Sequence, residues 1–251
     1  MNKKTLREAR LSARTALERA GNLQFKPVSS AKWVDIERTW TGKVHVRIEH
    51  DTVHGCTPEM IRWWFENLGR HTTWDGVGLG GPEISFYHLW HHRDHISVTP
   101  LTGVNNKGFA VHEKTRLTEQ FNDCNDKIDV DVYTERLDDK EFNFIIKRFG
   151  LIGVRLNHFY SAESDGSRFY AETIVGLDFP IIGWLFNWTV LPFLYSRKTA
   201  EHWITHNVEE TGRSESIIPV LYNHDKRAGQ PSDQDNIHGL MLTQCYSSCL
   251  W

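Results

Sequence analysis

At 251 residues and 39% hydrophobic side chains, the chain can form one large or two small domains with a substantial core, and one domain with terminal extensions is expected. Its formal net charge of −3 comes from 29 basic and 32 acidic residues without clusters, which gives no electrostatic footprint for nucleic acid. Cys56, Cys124, Cys245 and Cys249 are too few and too irregularly spaced for a disulfide framework, so a reducing compartment, the cytoplasm by default, is the expected location.

The first 21 residues carry charge throughout and lack an apolar signal core, so they read as an exposed helix within an N-terminal extension of residues 1–40. Their basic, acid-poor composition is also that of an organelle transit peptide. Val44, Val46 and Ile48 alternate with His45, Arg47 and Glu49, predicting a strand that opens a folded body of residues 41–224. Thr57, Pro58 and Glu59 supply an N-cap, a first-turn proline and an acid. A very apolar helix follows through Met60, Ile61, Trp63, Trp64, Phe65 and Leu68 and ends at Gly69. Residues 76–81 are glycine-rich without the Lys-Ser/Thr of a phosphate loop, and read as a flexible loop.

Seven strand-length runs come next, at 84–90, 95–101, 108–117, 128–134, 142–149, 151–160 and 168–175, separated by turn-rich pieces as antiparallel hairpins require. Residues 179–195 are uncharged but interrupted by Asn187 and Pro192 and just short of a membrane span. They are expected to be buried or to cover a pocket, with a kink at Pro192. From 184 to 213 the pattern is helical, with Gly212 as a C-cap. This order predicts an α+β fold whose curved antiparallel sheet wraps a long C-terminal helix and leaves a cavity, followed by a loosely structured tail at 225–251.

Three clusters carry chemistry. His206 and Glu210 are one helical turn apart and can ligate one cation, although such a pair also occurs on solvated surfaces, and His202 shares the same spacing with His206. Residues 87–95 hold four histidines, of which His95 begins a strand. In a strand at 108–117, Glu113 shares the face of Phe109 and Val111 and needs a compensating partner, either a metal or an arginine.

The segments 57–65, 87–95 and 206–212, in this order, resemble the 2,4-diacetylphloroglucinol hydrolases, with phloretin hydrolase as a relative, over about residues 44–212. The resemblance implies a helix-grip fold like that of the Bet v 1 superfamily and a single Zn2+ held by His95, Glu113, His206 and Glu210, with His91 in reserve for His95. It also implies that Tyr87, Tyr170 and His158 contact the substrate, a small aromatic ketone. The connection from the first His to the first Glu is shorter here than in that family, and His92 stands where relatives commonly carry proline. The implied reaction is hydrolysis of the carbon–carbon bond between an acyl group and a phenolic ring. The ring is protonated at the acyl-bearing carbon, activated water attacks the carbonyl, and His158, Glu209 and His91 are candidate proton handlers. Trp63, Trp64, Trp184 and Trp188 are candidate pocket walls.

Two other classes share this scaffold: a non-catalytic binding protein for aromatic ligands, and a metal-dependent cyclase, dehydratase or decarboxylase. No nucleic-acid or membrane partner is expected, and a homodimer is compatible with the sequence.

Overall fold

In the computed structural model, residues 25–104, 106–122, 125–148 and 150–228 are described. The expected helix near the N-terminus, three of the four cysteines and nearly all of the C-terminal tail lie outside them.

A nine-stranded antiparallel sheet is built from β1 (Trp33–Arg38), β2 (Val44–Glu49), β3 (Val53–His54), β6 (His95–Pro100), β7 (Lys114–Phe121), β8 (Asp126–Leu137), β9 (Glu141–Arg148), β10 (Leu151–Glu163) and β11 (Gly166–Val175). Its order is β1-β2-β11-β10-β9-β8-β7-β6, with β3 beside β11, so the first strands of the chain close against the last. A separate hairpin pairs β4 (His71–Thr73) with β5 (Glu83–Ser85), and the glycine-rich residues 76–81 connect them. The long helix α5 (Arg197–Ala228) buries Trp203, Ile204, Val208, Ile217, Ile218 and Leu221. A curved sheet gripping one long C-terminal helix is the helix-grip architecture expected from the sequence.

Alternation in β2 buries Val44, Val46 and Ile48 and turns His45 and Arg47 outward, where they meet Glu172 and Asp35. Helix α1 (Pro58–Asn67) starts as predicted: Thr57 Oγ1 accepts from the Met60 N–H, and Ile61, Trp64 and Phe65 are buried.

Five expectations are corrected. The extension does not run to residue 40, because β1 pairs with β2 along its length. Residues 84–90 are not one strand: Ser85 Oγ accepts from the His88 N–H and starts helix α2 (Phe86–Trp90). Residues 108–113 precede the strand that was predicted there. The Phe109 N–H bonds Phe65 O and the Gly69 N–H bonds Lys107 O, so the start of this stretch serves the end of α1, and only its last two residues reach β8, through the His112 N–H on Thr134 O and the Thr134 N–H on Glu113 O.

Gly212 does not end the last helix. It sits inside α5, where a Cβ would fall 2.7 Å from the Lys26 side chain, so the glycine permits a close approach and Lys26 Nζ continues to Glu215 at 2.6 Å. Residues 179–195 form α3 (Ile182–Thr189) and α4 (Leu191–Leu194), the latter with Pro192 in its first turn, and within these two helices only Gly183, Asn187 and Leu191 are buried. No helix among the described residues is long and apolar enough to cross a membrane.

Candidate metal centre

Between the sheet and α5 lies a cavity of about 640 Å³. Phe65, Leu117, Phe142, Phe144, Leu156 and Trp203 give it apolar walls, and Tyr87, Glu119, His158, His206 and Glu210 are its chemically active lining. Residues 126–130 of β8, which pair with β7 beside Glu119, and Leu194 and Tyr195 also line it.

Helix α5 presents His206 and Glu210 one turn apart, and β6 presents His95 from the sheet. The free atoms of these three buried residues converge: His95 Nε2 lies 3.3 Å and His206 Nε2 3.5 Å from Glu210 Oε2. Both tautomers follow from the opposite ring atoms. His95 Nδ1 donates to Tyr87 O at 2.7 Å, and His206 Nδ1 donates to Asp94 Oδ2 at 3.1 Å, so each Nε2 carries the lone pair.

His95 Nε2 is buried with no hydrogen-bond partner among the described residues. Burial holds this imidazole far below the ordinary histidine range, to about 3, so it stays neutral. For His206 burial opposes charge, but Glu210 and Asp94 outweigh it and raise its pKa. Glu210 is raised by burial against the pull of His206 and Asn207. Three acceptors therefore surround a position that takes one positive charge, either a proton between His206 and Glu210 or a cation.

The residues fit zinc. A tetrahedral ion with bonds of about 2.0–2.1 Å holds its ligand atoms roughly 3.3 Å apart, which the 3.3 and 3.5 Å separations meet. Each imidazole is oriented by a carbonyl or carboxylate on its other nitrogen, as ligating histidines usually are. Glu210 is oriented likewise, its Oε1 accepting from Asn207 Nδ2 at 2.7 Å and Asn207 Oδ1 accepting from His50 Nε2 at 3.1 Å.

Glu113 does not join this group. It lies in the turn before β7, its backbone N–H on Ala110 O and its side chain beside Gly103, in a separate cleft. The carboxylate that β7 brings to the cavity is Glu119, opposite His95 in the ladder and accepting the Tyr87 hydroxyl proton. Its signal was in the sequence. Leu117, Glu119 and Phe121 alternate as an acid on an apolar strand face, by the logic applied to Glu113, and the two carboxylates have the same parity.

Tyr87 lies as expected in the cavity wall, stacked on His95 with ring centroids 3.7 Å apart, and burial beside Glu119 keeps its phenol protonated. His158 also faces the cavity; its Nδ1 donates to Phe142 O at 3.2 Å, leaving Nε2 as an acceptor, and burial lowers its pKa to about 4.

Tyr170 does not reach the cavity. Thr173 and Val175 of β11 line it, so parity sends Tyr170 to the outer face, where its hydroxyl donates to Glu172 at 3.0 Å. His91 and Glu209 lie behind His95 and His206. His91 Nδ1 accepts from the Asp94 N–H and its Nε2 donates to Glu209 at 3.0 Å, while Glu209 also meets Arg93, so neither residue lines the cavity. With both nitrogens of His91 engaged, His95 is the better placed imidazole. His202 is held by Asp126 outside the cluster.

Trp63 and Trp64 pack against Phe86 and Trp184 and Trp188 lie on the surface; Trp90 and Trp203 are the cavity tryptophans.

No family model and no curated protein matches the chain. Among solved structures, similarity is found to the di-domain ARO/CYC BexL from the BE-7585A biosynthetic pathway, at 10% identity and a TM-score of 0.42 over 70% of this chain. The match spans half of that protein's length. A protein of unknown function, SA2116 from Staphylococcus aureus, matches at 14% identity and a TM-score of 0.38 over 76% of this chain and 98% of its own. The AHSA1-like protein from Aeromonas hydrophila matches at 10% identity and a TM-score of 0.34 over 69% of this chain and 92% of its own. Likeness at this level says nothing about activity.

Proposed function

We propose that the chain is a zinc-dependent hydrolase that cleaves the carbon–carbon bond between an acyl group and a phenolic, phloroglucinol-like ring. The observation that supports it is the convergence of His95 Nε2, His206 Nε2 and Glu210 Oε2 at the wall of an apolar cavity. Three protein ligands with a fourth position open toward a cavity are the pattern of catalytic rather than structural zinc. The resemblance of the three sequence segments to acylphloroglucinol hydrolases supplies the reaction class.

Bound zinc would supply a Lewis acid for the side-chain carbonyl and activate water beside it. The aromatic walls hold the ring and exclude bulk water. The Tyr87 hydroxyl donates to Glu119, and in this reading the pair would pass a proton to the acyl-bearing carbon and recover one from the water that is consumed. His158 Nε2 accepts from a ring hydroxyl. Cleavage then adds the elements of water across the bond, oxygen to the acyl carbon and hydrogen to the ring carbon, giving a carboxylic acid and the deacylated phenol.

The second reading is a binding protein for aromatic ligands, or a metal-dependent cyclase or decarboxylase, and the apolar walls of the cavity favour it. The deciding experiment measures metal by plasma mass spectrometry in the wild type, His206→Ala and Glu210→Ala, with acid release from a panel of acylphloroglucinols. About one zinc per chain, lost in both variants together with acid release, is the expected result. Metal without acid release favours the cyclase or decarboxylase, and tight aromatic binding by a metal-free protein favours the binding module.

A further inference from the structure

Helix α3 and the turn into α4 bury their polar residue and expose their apolar ones. Asn187 is fully buried and ties the segment down, its amide donating to Thr41 O at 3.2 Å and Leu177 O at 3.0 Å and accepting from the Leu177 N–H. Ile181, Ile182, Leu185, Trp188, Phe193 and Leu194 are instead 51–87% exposed. Trp40, itself 77% exposed, joins this face: its ring lies 5.0 Å from that of Trp184 and its carbonyl accepts from Trp188 Nε1. No charged side chain occurs from Phe179 to Ser196.

These seven side chains expose on the order of 900 Å², taking about 200 Å² for a whole aromatic and somewhat less for an aliphatic. The largest apolar patch on a typical monomer is about 300–600 Å², whereas a stable interface takes about 800 Å² from each partner.

We propose that this face is the contact between two copies of the chain in a two-fold dimer. Near a two-fold axis each side chain meets its own counterpart, and an uncharged surface does so without like-charge repulsion. Abundant aromatics and depleted charge are the composition of an interface core. Arg38, which caps Gly42 O at 2.8 Å and lies over the Trp188 ring, and the Lys43–Asp178 ion pair supply a polar rim. Because Leu194 and Tyr195 also line the cavity, the contact adjoins the cavity wall. This inference is independent of the proposed chemistry.

The test is sedimentation velocity of the full-length chain at micromolar concentrations, comparing wild type with Leu185→Glu, Phe193→Glu and, as a control on another surface, Val104→Glu. The expected wild-type mass is twice the 29.2 kDa of the chain. The first two variants should sediment as monomers with unchanged circular dichroism, and the control as a dimer. A wild-type monomer overturns the proposal. If that monomer co-sediments with phosphatidylcholine/phosphatidylglycerol vesicles the face belongs to lipid, and if its α3 amides are protected from exchange in solution the chain's own termini cover it. A dimer that survives both substitutions also overturns it, since the contact then lies elsewhere.

Discussion

Asn207 Nδ2 donates to Glu210 Oε1 at 2.7 Å and thereby turns Oε2 of the same carboxylate toward His95 and His206. The amide cannot rotate, because its oxygen is held by His50 Nε2 at 3.1 Å. Asn207→Leu should therefore keep the fold and weaken zinc binding about 10- to 100-fold, as loss of an outer partner commonly does. Chelator competition would measure this, and unchanged affinity would remove Asn207 from the site.

Glu119 and Glu113 make opposite predictions. Glu119→Gln removes the carboxylate that stands opposite His95 and accepts the Tyr87 hydrogen bond, and should lower turnover at least about 100-fold if the pair moves the proton to the ring. Glu113→Gln changes a residue in a separate cleft and should leave zinc content and turnover at wild-type values. Kinetics of the two variants side by side decide between the carboxylates; loss only in Glu113→Gln would reverse the assignment.

Tyr87→Phe should retain zinc and lose most turnover, whereas Tyr170→Phe, on the outer face of the sheet, should match the wild type. Wild-type kinetics in Tyr87→Phe would exclude it from substrate contact.

His50 and His158 make the fold acid-sensitive. Burial holds their folded pKa values at about 3 and about 4. The unfolded chain protonates them near 6.5, so their contribution to stability is complete above that pH and is lost as pH falls toward the folded values. At pH 5 each should cost about 2 kcal/mol. Denaturant titrations at pH 7 and pH 5 should show that loss, reduced in His50→Phe, and a flat profile would mean that both rings are charged or solvated in the native state.

Gly108 is a packing constraint. A Cβ there would lie 2.4 Å from Phe65 O, backbone against backbone where α1 ends. Gly108→Ala should destabilise by about 2 kcal/mol or more, read as a lower midpoint of thermal unfolding.

Local pattern was enough for the elements whose cause is local. Alternation in 44–49, the Thr57-Pro58 cap and the turn-bounded strands after residue 126 are legible because burial period and capping act over a few residues. So is the helical pair, since His206 and Glu210 share a face at any register. Tertiary structure decided what depends on partners distant in sequence. Whether 108–113 extends a strand turned on Phe65 O and the Gly69 N–H at the end of α1, and pairing of β7 with β6 is what sets Glu119 opposite His95. Tyr170 fell outside because only the sheet's curvature around α5 defines which face of β11 is concave. Gly212 looked like a stop signal because Lys26, 186 positions away in sequence, is the reason for it. Residues 179–195 read as buried or pocket-covering; Leu194 and Tyr195 do line the cavity, but hydrophobicity alone does not reveal that Asn187 provides the anchor while most of the apolar side chains face outward.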